Sequence, residues 1–461
     1  MELNIVGGAY TLDNIEIAAQ TCVNWVPQVS EIGGGAALIP TAGLVRKYSL
    51  DGAIKGMQRI SNDWILIAHG EKISRVKGTE QVELGTIGPS THVTMADNGL
   101  VAVVATGAAL YAIDLKEWTL TQVTAEGFDG TQYVGFMDGY FIFATPETGR
   151  FGWLGLYNTD FDALSYATAE GSPDNIVRLM VVGREMWALG AHSIEVFYTS
   201  GGKDMPFTRV GGAFITVGCE APRTAVNLGN SIIFVARTAE GGRQICVTQG
   251  YQAQRISTHC IEQVIKTADI TQATAFGYQH NGHGYYVLSL PDIDKTYVFD
   301  TLTSMWHERA WRDTAGDLHR YRGQHHAYDG KYNLIGDWQN GNVYALNSKV
   351  FTDDGAPVYR ERTIDYLPNE KRNVSYLRLE LGMSVNASNI DQEVFLTWTD
   401  DYTRTWKPPI ARPLGKEDDP VKRVIWRKMG AGRQRAFKIY TTATTRCAIS
   451  AAYIEVQGAN A

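Results

Sequence analysis

The sequence holds little that would anchor, export or staple it. No apolar run can span a bilayer: the most apolar window, Leu100 to Ile113, falls short of the roughly 20 residues a membrane helix needs. The opening Met-Glu-Leu-Asn-Ile lacks the cationic start of a signal peptide, so the chain is expected to be neither exported by itself nor membrane-anchored. Five cysteines (Cys22, Cys219, Cys246, Cys260 and Cys447) are odd in number, far apart and without a C-x-x-C pair. That pattern argues against a zinc ribbon or a secreted disulfide framework and for folding in a reducing cytoplasm. Positive charge is not in excess either. The net charge is −7; residues 351–461 carry 17 Lys/Arg against 14 Asp/Glu, or +3, which leaves −10 for residues 1–350. Neither part is a basic magnet for nucleic acid.

Catalytic signatures are equally scarce. No G-x-S-x-G elbow, H-E-x-x-H, phosphate-binding loop or dinucleotide fingerprint occurs, and Gly33-Gly34-Gly35 runs into Ala-Ala-Leu-Ile-Pro, which reads as a flexible loop. His280-Asn281-Gly282-His283 has the look of a metal pair, but its histidines flank a hairpin turn with no carboxylate or cysteine at a ligand-like offset. His319, His325 and His326, beside Arg320 and Arg322, could hold phosphate; a solvated loop between repeats is the preferred reading. The pairs Asp353-Asp354, Asp400-Asp401 and Asp418-Asp419 could supply two carboxylates for glycosidic chemistry, yet neighbours on a strand face opposite ways and acidic pairs are common in turns. No catalytic, cofactor-binding or metal-ligating residue is assigned.

What the chain does have is length, aromatics and glycine: 461 residues, 11 Trp, 23 Tyr, 15 Phe and 47 Gly. This composition describes an ordered β-rich protein of more than one domain. Between about residues 55 and 350 a unit recurs: a polar turn, a short β-branched or aromatic run, and a partner run. The turns are Asn62-Asp63, Asn98-Gly99, Asp138-Gly139, Gly183-Arg184, Gly229-Asn230, Asn281-Gly282 and Asp329-Gly330, spaced by 36, 40, 45, 46, 52 and 48 residues. That period suits a four-stranded propeller blade, and Asn, Asp and Gly suit corners that need positive φ. Stacked β-sandwiches with similar turns are the alternative. A single helix is expected at His259–Lys266, with Ser257 or Thr258 as N-cap.

The expected fold is therefore all-β: a β-propeller of six or seven blades at residues 46–350, preceded by an arm or platform segment at 1–45 and followed by a β-rich, sandwich-like platform domain at 351–461. In the last part a Pro- and charge-rich stretch, Trp406 to Pro409 and Gly415 to Pro420, divides two strand-rich halves. There Thr399-Asp400-Asp401-Tyr402-Thr403-Arg404-Thr405-Trp406 resembles the Asp-box of sialidase-like propellers, with Thr403 where that pattern has Gly. Thr399, Asp401, Thr405 and Trp406 are its structural residues; they point to a pinned hairpin rather than to chemistry.

A longer resemblance runs nearly end to end. Cys22-Val23-Asn24-Trp25-Val26-Pro27, then Leu38-Ile39-Pro40-Thr41-Ala42-Gly43-Leu44, is similar to the Asn-aromatic-x-Pro and Thr-Pro-Gly-Leu signatures of the packaged-DNA stabilisation proteins of tailed phages, with Ala42 in place of the usual Pro. Ser193-Ile194-Glu195-Val196-Phe197-Tyr198, Ile256 to Glu262, Met305-Trp306-His307-Glu308-Arg309 and the closing Val424 to Gly430 with Arg433 to Ile439 follow in that family's order. The resemblance implies a non-enzymatic virion protein of the phage tail hub or nozzle, assembled in the host cytoplasm. It implies a ring of six subunits under the portal and its adaptor that extends the DNA channel, stabilises packaged DNA and serves in genome ejection, with a needle or plug and tailspikes or fibres attached below. DNA would pass without sequence-specific binding, and neither cofactor nor membrane anchor is implied. The rival reading is a propeller that binds or cleaves glycans.

Overall fold

A computed structural model describes residues 1–11, 19–30, 32, 34–128, 130–202, 205–366 and 372–458. Six antiparallel blades follow one another along the chain, each of four strands save the fifth, where Gly218–Cys219 adds a fifth; their innermost strands include Ile54–Arg59, Thr94–Asp97, Val134–Met137, Ile176–Val182, Val226–Leu228 and Thr274–His280. The ring is closed by a composite seventh sheet: Gly323–Tyr328, Asn333–Asp337 and Gly341–Asn347 take Gly43–Leu50, from before the first blade, as their outer strand. Each of the seven turns singled out in the sequence joins an innermost strand to the middle strand beside it, and each holds a residue at positive φ, as at Asp63 (67°), Asn281 (51°) and Gly330 (91°).

Hydrophobic alternation is weak in the middle strands for a physical reason. Each is covered on both faces by neighbouring blades, so Ile65–His69, Ala102–Ala105 and His283–Leu290 are buried at every position. Outer strands such as Glu80–Thr86 and Phe161–Thr168 face solvent and carry most of the polar residues. The one α-helix among the described residues, His259–Thr267, is capped by Thr258 and packs Ile261 and Ile265 against the fifth and sixth blades.

Beyond the propeller lies a β-sandwich. One sheet orders Asp419–Arg427, Val374–Val385, Cys447–Gly458, Ala36–Pro40 and Trp25–Val29; the facing sheet orders Cys22–Val23, Arg360–Ile364, Ala436–Thr441, Gln392–Thr399 and Ile410–Gly415. Its core encloses Trp25, Leu379, Leu396, Trp426 and Phe437, all essentially without exposed surface. Of the Pro- and charge-rich stretch, Trp406 to Pro409 joins the paired strands Gln392–Thr399 and Ile410–Gly415, and Gly415 to Pro420 crosses from that sheet to Asp419–Arg427 in the facing one. Gly34 and Gly35 lie in the turn between Trp25–Val29 and Ala36–Pro40, while Gly33 lies outside the described residues.

The two domains are interlaced by the N-terminal segment. Cys22–Val23 sits between Met305–Glu308, the outer strand of the sixth blade, and Arg360–Ile364 of the sandwich, making one nine-stranded sheet. The chain then supplies two sandwich strands and, with Gly43–Leu50, the strand that closes the propeller. That last strand straddles residue 46, where the periodic region was expected to begin.

Candidate functional site

Three polar constellations stand out, and the first is the seam between the domains. Asn24 is buried with φ of 54°, a left-handed conformation that Asn tolerates better than most side chains. Its Nδ2 donates to the carbonyls of Ala310 (2.8 Å) and Tyr359 (2.7 Å), and its Oδ1 accepts from Ala310 N at 3.1 Å. One side chain thus holds Ala310, just past the sixth blade, and Tyr359, at the start of the sandwich. Nearby Arg362, buried, donates to the carbonyls of Ile5 (2.8 Å), Gly8 (3.0 Å) and Thr21 (3.1 Å). Burial lowers its pKa, but the carbonyls solvate the cation in place of water. Arg309, also buried, lies 5.3 to 5.6 Å from the ring centroids of Tyr278, Tyr285 and Tyr321, a cation–π cage. Asn24 and Arg309 belong to the sequence blocks quoted for the family resemblance; their shared seam was not visible there.

The second is the Asp-box-like turn. Thr399 Oγ1 donates to Asp401 Oδ1 (2.7 Å) and accepts from the amides of Asp401 and Thr403; Asp401 in turn accepts from Thr405 N (2.9 Å) and Thr405 Oγ1. These bonds, with the Thr405 hydroxyl first, pull the Asp401 carboxyl down to about 2. Thr403, standing where the pattern has Gly, is held at φ 65°. Thr399, Asp401 and Thr405 are therefore brought together, whereas Trp406 lies apart from their hydrogen bonds, under the Lys438 ammonium at 4.4 Å. Asp400 is turned to Arg435, which it grips at 2.7 and 2.8 Å while the guanidinium covers Tyr376 at 4.2 Å. The other acidic pairs also have divided partners: Asp354 pairs with Arg46 and Asp353 with Arg322, burial raising Asp353 to about 6, while Asp418 accepts from Ala387 N and Asp419 from Val421 N (3.0 Å).

The third is the axial cavity of the propeller, about 510 Å³, lined by residues of all seven innermost strands. Near one end stand His92, Arg178 and His325, with Arg223 beside them. The His92 and His325 rings stack at 5.6 Å, and the Arg178 guanidinium lies 4.2 Å from the Tyr133 centroid. Burial, reinforced by Arg223, takes His325 down to about 4; His92 is likewise pushed well below the ordinary imidazole range, first by burial and then by His325 and the two arginines.

This corrects the reading of the histidine group as a solvated loop. His325 and His326 sit on the innermost strand Gly323–Tyr328, with His326 Nε2 2.9 Å from Asn333 Oδ1, while His319 is on Leu318–Arg320 between Asp294 (2.7 Å) and Asp313 (3.3 Å), which raise its pKa. The strand was missed because its polar side chains face the axis rather than solvent. His280 and His283 are register partners flanking the turn, and His283 Nδ1 contacts Asp300 Oδ2 at 2.7 Å. No cluster of three or more His, Cys, Asp or Glu able to hold a metal ion occurs among the described residues, and none of their helices is long and apolar enough to cross a membrane.

Against this geometry the comparisons are specific at the family level. The family model described as bacteriophage P22 Gp10, beta-propeller, matches residues 1–351, and that described as bacteriophage P22 Gp10, beta-sandwich, matches residues 352–457. No curated protein matches the chain. Among solved structures, the extracellular domain of a hybrid two-component system from B. thetaiotaomicron is 10% identical with a TM-score of 0.43, over 67% of this chain and 41% of that one. The Neurospora crassa Pan2 WD40 domain is 8% identical with a TM-score of 0.42, over 66% and 96%. A chain of a mitotic checkpoint complex is 11% identical with a TM-score of 0.43, over 67% and 96%.

Proposed function

Because the chain belongs to the bacteriophage P22 Gp10 family, structural virion proteins with a propeller and a sandwich, we propose that it is a non-enzymatic tail hub. In this reading six copies form a ring beneath the portal and its adaptor in the virion tail, having assembled in the host cytoplasm. The ring prolongs the DNA channel, holds the packaged genome and releases it at ejection, with a needle or plug and tailspikes or fibres below.

The observation that carries this reading is the family match through both domains in order, residues 1–351 and 352–457. The build is compatible with it. A sheet running through both domains and the Asn24 clamp make a stiff unit, suited to a wall under load. An axial cavity of about 510 Å³ is of small-ligand size, so a duplex would pass alongside the propellers, between subunits, not through them. The net charge of −10 over residues 1–350 limits the phosphate contacts that would make a conduit retain its cargo. A closed ring needs two different complementary surfaces on each copy. In the Asp-box-like turn the side chains of Thr399, Asp401 and Thr405 bond one another and the turn amides, which supports a hairpin pin over a glycan site.

The test is to mix the purified protein with a portal–adaptor complex and measure native mass and particle images. A six-membered ring seated on the complex is expected. A monomer that ignores the portal and binds or hydrolyses a host polysaccharide would replace this reading with the glycan one.

A further inference from the structure

We propose that one mouth of the propeller's axial cavity binds a small oxyanion, held by Arg178, His92 and His325 with Arg223 beside them. This site is independent of the hub reading, since its argument rests only on the groups that converge there.

The four side chains come from four different parts of the ring. His92 precedes the strand Thr94–Asp97, Arg178 lies on Ile176–Val182, Arg223 in the turn Pro222–Thr224, and His325 on Gly323–Tyr328. Only ring closure brings them together. Arg223 is braced by Thr91 Oγ1 (2.7 Å) and Gln272 Oε1 (3.1 Å), and Arg178 by its stacking on Tyr133. Both cations are thus positioned, yet neither forms an ion pair with a described carboxylate. The one carboxylate among the lining residues, Asp97, is committed to Ser61 N (3.0 Å) and Gly99 N (3.2 Å) at the turn that follows its strand.

Unpartnered donors reinforce the point. Arg178 Nε and Nη1, both ring nitrogens of His92, and His325 Nε2 are buried and have no hydrogen-bond partner. Buried polar groups are almost always satisfied, and buried cations are almost always paired, because an orphaned group loses its water without compensation. Here the residues that carry the orphans line one cavity with room for a ligand. Arg178 has two nitrogens of its guanidinium without a partner, so its charge is left uncompensated. Two N–H groups of Arg178 and one on each neutral imidazole make a small donor set that suits an oxyanion, for which inorganic phosphate is the probe. The stacked imidazoles then serve as neutral N–H donors beside the cations.

The experiment titrates the full-length protein with inorganic phosphate by calorimetry and thermal shift, against potassium chloride at equal ionic strength. Saturable binding and a rise in melting temperature specific to phosphate are expected, with affinity reduced about ten- to a hundredfold in Arg178→Leu, the loss expected for charge-assisted hydrogen bonds. Arg150→Leu, an exposed change over Tyr166 on the third strand of its blade, should bind as the parent does. His92→Asn is measured in parallel, so that a folding defect in Arg178→Leu leaves a second readout; it too should weaken binding. Short oligonucleotides with and without a 5′-phosphate separate the sources. Competition that requires the 5′-phosphate identifies a strand end, and its absence with phosphate still bound identifies the free ion. No phosphate-specific effect, or unchanged affinity in Arg178→Leu and His92→Asn, would overturn the proposal.

Discussion

Asn24 and Ala310 exchange two hydrogen bonds, Nδ2 to the Ala310 carbonyl at 2.8 Å and Ala310 N to Oδ1 at 3.1 Å, so that a side-chain amide imitates a strand pairing between the domains. Asn24→Ala removes these bonds and the one to Tyr359, and leaves a non-Asn residue at positive φ. A loss of about 3 kcal/mol is expected from the stranded backbone groups and the left-handed backbone together. Denaturant unfolding followed by probes in each domain should show the propeller and sandwich transitions separating. A single transition at the parental midpoint would show that Asn24 does not couple the domains.

Trp426 is the next. It is fully buried in the sandwich core and its Nε1 donates to Ile410 O at 2.8 Å. Trp426→Ala should cost roughly 3–5 kcal/mol, as large-to-small core changes do. Parental stability of that variant in chemical denaturation would remove Trp426 from the core.

At the Asp-box-like turn the strained residue is Thr403, a β-branched side chain at φ 65°. Thr403→Gly should stabilise the chain by about 0.5–1 kcal/mol, since the relief of strain exceeds glycine's added freedom in the unfolded state. Differential scanning calorimetry reads the shift; a lower melting temperature would mean that Thr403 makes contacts worth more than its strain.

Acid should destabilise the protein in two windows with different causes. His325 and His326 are both lowered to about 4 by burial, so the unfolded chain takes up protons that the folded one refuses, and stability should fall as pH drops from about 6.5 to about 4. Asp401 and Glu380 are lowered to about 2, by Thr405 and by Arg423 with Arg378 respectively; their contribution is complete above their unfolded values and is lost as pH falls through about 4 towards 2. Urea midpoints across pH check both. His326→Phe should flatten the first limb and Asp401→Asn the second; unchanged slopes would exclude these groups as the cause.

The architecture was legible where local chemistry dictates it. Turns such as Asn98-Gly99 and Asn281-Gly282 announce themselves because few residues tolerate positive φ, and the helix capped by Thr258 shows its apolar spacing and N-cap in a single window. Asn24 was legible only as part of a signature, since nothing beside it names Ala310 or Tyr359 as its partners. The strand Gly323–Tyr328 was misread because polar residues facing an internal cavity carry the same pattern as residues facing water.

By itself, then, the sequence determined the turn positions, the strand period, the helix and the family, because each depends on neighbours along the chain or on the order of short motifs. Tertiary structure alone decided that Gly43–Leu50 closes the ring against Gly341–Asn347, that Cys22–Val23 stitches two domains into one sheet, and that His92, Arg178 and His325 share a cavity mouth with Arg223 beside it. Those pairings join segments distant in the chain, and their free energy comes from burial and hydrogen bonds that exist only once the ring and the sandwich have formed.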